Sequence, residues 1–370
     1  MTTLNIGIIG GGYMGKTHAV AMLSVGTIFN TKLRPNLEMV AATNMESAEA
    51  YRTAYGFSRA TDDWRVLIDD AAVEAVIIAS PQDTHREIAE AALKLGKPVL
   101  CEKPLADTLD NARAMAAMAK QVGVTNMVGF NYIRTPASQY ARQLVARGEI
   151  GQITWFRGEH TEDFQADPNS PHNWRCSGMA NGNMGDLAPH PINAALALMG
   201  PIKKVMADVE CVHKQRPGGQ VTNDDHAQIM VRFASGVMGH IYSSRLATGR
   251  KMGYAYELHG TEGSIRFDQE DQNALWLYRA KGPEAERGFK KILAGPAHPD
   301  YLPFCRGPGH GTGYQDTVTI EAKDFLEAIE TGKPIWPTFR DGLEVAEVVA
   351  AALQSADTRN WVEVRQVEET

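Results

Sequence analysis

The chain has 370 residues, more than one hydrophobic core usually organises, so two domains are expected. Its 44% hydrophobic and 22% charged content is that of a soluble globular protein, and a net charge of −7 argues against nucleic acid or an anionic membrane as the main partner. Cys101, Cys176, Cys211 and Cys305 have neither zinc nor redox spacing, no signal peptide precedes the first strand, and no apolar run could span a bilayer; a cytoplasmic protein with reduced thiols is expected.

Residues 4–9 read as a buried strand, followed by Gly10-Gly11-Gly12-Tyr13-Met14-Gly15 and a helix over 16–23. Residues 25–37, interrupted by Gly26, Asn30 and Pro35, read as a loop. A strand over 38–43, a helix over 46–55 and a short helix at 64–68 come next. The apolar run 75–79 has the composition of a central parallel strand. Helix 83–95 ends at Gly96, strand 98–101 follows, and helix 107–122 ends at Gly123 before strand 125–129. Strands alternating with helices predict a doubly wound parallel sheet.

Beyond Gly151 strand-like segments dominate, at 153–159, 205–214, 227–233, 237–243, 255–259 and 264–267. Pro217-Gly218-Gly219 and Ser235-Gly236 mark turns between them, and the pattern predicts a mostly antiparallel sheet. Residues 281–313 are rich in Gly and Pro without periodicity and read as a long loop near the site or an oligomer arm; helices follow at 318–330 and 342–356. The fold class is therefore α/β. A Rossmann domain is expected over 1–130 and an α+β domain for substrate binding and oligomerisation over 131–370, with the final helices able to pack back on the first domain.

Gly10, Gly12 and Gly15 form G-x-G-x-x-G between a strand and a helix. The first permits the tight turn, the second lets the backbone approach a pyrophosphate, and the third lets the helix pack on the strand. The helix N-terminus then offers free N–H groups to the phosphates. The acidic residue that usually ends the second strand is missing: the segment reads Ala41-Ala42-Thr43-Asn44. Thr43 and Asn44 could hydrogen-bond a ribose or a phosphate, so NAD is expected with NADP left open.

Cys101-Glu102-Lys103-Pro104 follows the fifth strand, at the carboxyl end where ligands bind in such sheets. A lysine there can polarise a substrate oxygen. Asp186 and His190 are four residues apart and would share a face if they lay on one helix, although Pro189 and Pro191 flank the histidine. Alcohol oxidation needs a base for the hydroxyl proton, and histidine titrates in the useful range. His298 and His310 belong to no metal-ligand pattern, and no metal is expected.

The glycine loop, Glu-Lys-Pro and Gly185-Asp186-x-x-x-His190, in this order, resemble the Gfo/Idh/MocA family of oxidoreductases over essentially the whole chain. Supporting segments are Ser80-Pro81-Gln82-Asp83-Thr84-His85, Gly129-Phe130-Asn131-Tyr132-Ile133-Arg134, His259 to Ser264, and Pro337 to Gly342. The resemblance implies that Lys103 assists proton removal, His190 is the general base, and Asp186 is a substrate ligand that modulates it. It puts Pro81, His85 and Glu102 against the nicotinamide half of the cofactor and has Tyr132 and Arg134 help close the site. The full cofactor set is then Gly10, Gly12, Tyr13, Met14, Gly15, Thr43, Asn44, Ser80, Pro81, Gln82, His85, Glu102, Lys103 and Asn131.

Residues 166–175, Ala-Asp-Pro-Asn-Ser-Pro-His-Asn-Trp-Arg, and Pro296-Ala297-His298-Pro299 are similar to the subgroup acting on pyranosides and on levoglucosan. The first segment would line a sugar pocket, with Trp174 on a ring face and Asp167, Asn169 and Arg175 hydrogen-bonding. Ala42, Gln82 and Asn193 depart from commoner residues, Ala42 from an acidic one. The expected activity is oxidation of a secondary hydroxyl of a sugar, anhydrosugar or cyclitol by direct hydride transfer to NAD or NADP. A hydrolase with retained NAD and a non-catalytic dinucleotide-sensing regulator are the alternatives. An open antiparallel sheet would bury its free face against another subunit, so a homodimer or homotetramer is expected.

Overall fold

A computed structural model describes residues 2–367. By its contacts the chain forms two units. One holds the residues up to Asn131 together with Gly313–Leu343, and the other holds Tyr132–Thr312 together with the residues from Glu344 on.

The first unit runs β1 (Thr2–Ile9), α1 (Tyr13–Phe29), β2 (Leu33–Ala41), α2 (Met45–Tyr55), β3 (Arg59–Thr61), α3 (Trp64–Asp69), β4 (Ala75–Ile78), α4 (His85–Lys94), β5 (Val99–Glu102), α5 (Leu109–Val122) and β6 (Asn126–Gly129). Its sheet has the order β3-β2-β1-β4-β5-β6 with every neighbour parallel. The order reverses between β1 and β4, which is where such sheets bind ligands. Every residue of β4 and β5 is buried, which accounts for the unbroken apolar run at 75–78.

Residues 25–37 are not a loop. α1 continues to Phe29 and β2 begins at Leu33. Gly26 is a packing glycine, since a Cβ there would lie 2.8 Å from the Arg34 guanidinium. Asn30 ends the helix in the left-handed region at φ 50. Pro35 is tolerated because β3 pairs only with Met39 to Ala41, leaving β2 without a ladder on that side at Pro35.

The second unit carries α6 (Pro136–Ala146), β7 (Ile153–Thr161), α7 (Asn183–Asp186), α8 (Pro189–Met199), β8 (Ile202–Glu210), the hairpin β9 (Gln215–Arg216) and β10 (Gly219–Gln220), then β11 (His226–Phe233), β12 (Met238–Ser244), β13 (Ala255–Gly260), β14 (Gly263–Asp268), β15 (Ala274–Arg279) and β16 (Lys290–Leu293). α9 (Tyr314–Thr331), α10 (Phe339–Thr358) and β17 (Val362–Glu363) complete the chain. The large sheet has the order β16-β15-β14-β13-β7-β12-β11-β8-β17, antiparallel throughout except between β7 and β12. On β7 burial alternates, turning Phe156, Gly158 and His160 to the inside.

Helix α6 is an element that the strand-and-helix reading missed. Thr135 caps it by accepting from Ser138 N at 3.1 Å, and Pro136 opens its first turn. The stretch 281–313 is likewise more ordered than expected. It adds edge strand β16, and beyond that it folds on itself around buried Tyr301, whose hydroxyl donates to Gly307 O at 2.8 Å. A four-residue strand and side-chain-stitched turns leave no periodicity to read.

α9 belongs to the first unit and lies along α1. Tyr314 stacks on Tyr13 with centroids 6.0 Å apart, and Gln315 Nε2 donates to Thr17 O at 2.9 Å. Val318, Ala322, Phe325 and Leu326 join Ile6, Ile8 and Met22 in one core. Among the described residues no helix is long and apolar enough to cross a membrane.

Candidate active site

The glycine turn is shaped by three different constraints. Gly10 has φ +95, and a Cβ there would fall 2.5 Å from Ala79 O. A Cβ at Gly15 would fall 1.9 Å from Gly10 O, so α1 can sit against the turn only with glycine there. At Gly12 nothing lies within 4 Å of the Cβ position, which leaves open space beside the backbone where the helix starts. α1 begins there with no side-chain cap and no acidic residue in its first turn, so its first N–H groups lack a side-chain acceptor. Asn131, only 5% exposed, carries a buried Nδ2 with no hydrogen-bond partner among the described residues. An open cradle, an uncapped helix start and an orphaned amide fit a dinucleotide. Tyr13 is largely exposed and Met14 Sδ accepts from Tyr314 Oη at 3.3 Å. Thr43 and Asn44 are exposed at the end of β2; Asn44 Oδ1 already caps α2 by accepting from Ser47 N at 2.8 Å, which leaves its amide N–H groups for a ligand.

Ser80, Pro81 and Gln82 follow β4, and His85 opens α4. The His85 ring is fully buried, with Nε2 3.0 Å from Ser80 O and Nδ1 3.1 Å from Pro104 O. Burial lowers its pKa, and its two ring nitrogens face backbone carbonyls on either side. His85 thus joins the loop after β4 to the loop that carries Lys103. Glu102 ends β5. Its Oε1 lies 2.7 Å from His18 Nε2 on α1, and its Oε2 accepts from Lys103 N at 3.2 Å. Glu321 of α9 comes within 4.8 Å of both His18 and Glu102, forming a buried triad that no local pattern announced.

Burial opposes protonation of His18, but the Glu102 hydrogen bond and the charges of Glu102 and Glu321 outweigh it and raise the pKa above 6.5. The stabilisation is therefore complete below about pH 6.5, the ordinary histidine value, and is lost as pH rises through the raised value. Thermal denaturation from pH 6 to pH 9 is expected to show stability falling, with a flatter slope in His18→Gln. Equal slopes in the two proteins would remove His18 from the account.

In the second unit His190 is 4% exposed. Its ring lies 4.4 Å from the Tyr132 ring and 5.2 Å from the His160 ring, with Tyr254 5.4 Å from Tyr132. His160 is held by Leu187 O at 3.2 Å from Nδ1 and by Glu162 Oε1 at 2.9 Å from Nε2. Asp186 and His190 do not share one helix. Asp186 ends α7 and His190 is the second residue of α8, because the chain restarts at Pro189. Arg134 is buried beside this cluster in sequence, following Tyr132 in the same short turn.

The segment 166–175 is a loop with defined internal bonds. Asp167 Oδ1 accepts from Asn169 N at 2.8 Å, while Asn169 itself is exposed. Arg175 pairs with the Asp186 carboxylate. Its guanidinium lies 4.4 Å from the Trp174 ring and 5.2 Å from the Phe164 ring, and Trp174 is 59% exposed. Behind the loop, Asp225 accepts from Arg245 Nε at 3.0 Å and from the backbone of Val212 and His213 at 2.8 and 2.9 Å. Arg245 Nη1 donates to Arg175 O at 2.8 Å, and Asn223 Nδ2 donates to the same carbonyl at 3.0 Å. Sequence reasoning did not reach His18, His160, Tyr254, Phe164 or Arg245. Only His160 had a usable signal, the alternation with Phe156 and Gly158 along β7.

A parallel sheet of this order, with an open glycine turn at its switch point, defines a dinucleotide-binding domain of the Rossmann kind. Residues 4–130 match the model of the oxidoreductase family with an NAD-binding Rossmann fold, and residues 138–266 match the GFO/IDH/MocA C-terminal domain. The chain belongs to the Gfo/Idh/MocA family and is an NAD-dependent enzyme of its sugar and cyclitol dehydrogenases. It is 39% identical to levoglucosan dehydrogenase of Pseudarthrobacter phenanthrenivorans, over 99% of this chain and 100% of the relative. It is 29% identical to inositol 2-dehydrogenase of Rhizobium meliloti over 99% of each. A structure of levoglucosan dehydrogenase in complex with NADH and levoglucosan matches with a TM-score of 0.97 at 40% identity, over 99% of this chain and 100% of that one. Neither the retained-cofactor hydrolase nor the regulator finds support among these relatives.

Proposed function

We propose that the chain oxidises a secondary hydroxyl of a pyranose or anhydrosugar of the levoglucosan kind to a ketone. The observation that carries this reading is the likeness to levoglucosan dehydrogenase over the full length of both chains, 39% identical. In this reading His190 takes the hydroxyl proton and Lys103, as an ammonium, stabilises the alkoxide that forms. Asp186, paired with Arg175, orients the hydroxyls flanking the reacting carbon. Trp174 stacks on a ring face, Asp167, Asn169 and Arg175 hydrogen-bond the sugar, and Tyr132 and Arg134 close over it. NAD, when bound, supplies the acceptor for the hydride. Gly10, Gly12, Tyr13, Met14 and Gly15 hold its pyrophosphate, Thr43 and Asn44 its adenosine ribose, and Ser80, Pro81, Gln82, His85, Glu102, Lys103 and Asn131 line its nicotinamide half.

The test is NADH formation with levoglucosan, free pyranoses and inositols, each with NAD and NADP side by side. Turnover of levoglucosan or a pyranose with NAD is expected. A panel in which only inositols react would move the assignment to cyclitols, and no NADH with any member would reject it.

A further inference from the structure

The hairpin β9–β10 was read only as a turn, yet it has an unusual burial pattern. From Val212 to Gln220 every residue is exposed or half-exposed except Arg216, which is 2% exposed. A surface hairpin that served stability alone would turn an apolar side chain inward; this one turns in a guanidinium. Arginine stays charged, and among the described residues no carboxylate forms an ion pair with Arg216. Its partners are two backbone carbonyls at the start of the predicted sugar loop, Gln165 O just before it at 2.6 Å from Nη2 and Asp167 O within it at 2.8 Å from Nη1. Nε has no partner there. A buried cation held only by carbonyls carries a desolvation cost that no counter-charge offsets. It is a good clamp, since a planar fork fixes two carbonyls at once.

The rest of the hairpin presses on the same loop. His172 N donates to Pro217 O at 2.8 Å, and Thr222 N donates to Cys176 O at 2.9 Å. The His172 ring lies over Gly219, where a Cβ would come within 2.8 Å of it. Contacts thus reach the loop at Asp167 and His172 and its flanks at Gln165 and Cys176, on both sides of Asn169 and Trp174.

We infer that the β9–β10 hairpin is a buttress for the sugar loop and that Arg216 is a positioning residue that sets affinity for the sugar. The inference rests on the proposal that residues 166–175 line the sugar pocket. With its two inward-drawn carbonyls fixed, the loop holds Asp167, Asn169 and Trp174 in one arrangement. Released, it samples several, and the sugar must select one.

The experiment measures KM for the sugar, KM for NAD and Tm in Arg216→Met and Arg216→Lys, with Trp174→Ala as a control. The sugar is the one turned over best in the panel above, levoglucosan being expected. Sugar KM should rise about tenfold in Arg216→Met and less in Arg216→Lys, with NAD KM within about twofold; Tm should fall modestly in Arg216→Met, where Gln165 O and Asp167 O lose their donors, so the KM ratio is the deciding readout. A residue that only stabilised the fold would lower Tm and leave the KM ratio alone, and that result overturns the inference. So does an unchanged sugar KM in both variants when Trp174→Ala raises it. If the methionine variant does not accumulate as folded protein, the KM ratio of Arg216→Lys decides. An unaltered sugar KM in Trp174→Ala would instead reject the sugar-loop reading, and the buttress with it.

Discussion

Lys103→Ala and His190→Ala are each expected to lower kcat by about a hundredfold or more, the scale of a lost general acid–base or electrostatic group. In the proposed reaction the two act on one event. The hydroxyl proton has to leave as the hydride does, and the oxygen carries its greatest negative charge when the proton has gone and the hydride is still on carbon. An ammonium that stabilises this charge and an imidazole that takes the proton are therefore coupled. The double variant should lose far less than the product of the single losses. In its own unit His190 is buried and packed 4.4 Å from the Tyr132 ring. Steady-state rates with saturating sugar and NAD check this. Near-normal kcat in both single variants would reject the proposed chemistry, and strict multiplicativity would mean that the two side chains serve separate steps.

Asp225→Ala is expected to destabilise the second unit by about 3–5 kcal/mol, the scale found when one member of a buried ion pair is removed. For a unit of this size that lowers Tm by roughly 10 °C. The side chains of Asp225 and Arg245 are 0% and 1% exposed, so water can replace neither partner. Loss of the carboxylate leaves the guanidinium without its counter-charge, held only by neutral oxygens of Arg175, Asn181 and Asn223, and strands the N–H groups of Val212 and His213. Arg245→Met should cost less, because Asp225 keeps its two backbone donors and Asn223 still holds Arg175 O. Differential scanning fluorimetry of the two variants orders them; equal Tm values, or a smaller loss in Asp225→Ala, would contradict the charge argument.

The parts legible in the sequence were those whose signal is local. An apolar run at 75–78 is a central strand, a glycine after a periodic segment ends a helix, as at Gly123, and a glycine pattern between strand and helix is a dinucleotide turn. Glu102-Lys103-Pro104 could be placed because it follows a strand, and strand ends in a parallel sheet all point one way. Local signals also misled. Gly26 and Pro35 have the residue types of breakers, but one is a contact with Arg34 and the other sits on an unpaired flank of β2. Neither circumstance exists until a neighbouring element is in place.

What the sequence by itself determined is the alternation of strands and helices in the Rossmann sheet, the family and the residue types available for hydride chemistry, since each follows from periodicity or from motifs a few residues long. Tertiary structure alone decided which charged groups leave water. His18 meets Glu102 and Glu321, His160 meets His190, and Arg216 and Arg245 turn inward onto the carbonyls of the loop at 165–181. Composition assigns arginine, glutamate and histidine to the surface. Their burial is tolerated only where distant parts of the chain supply the hydrogen bonds that replace water, and those partners exist only once the chain has folded.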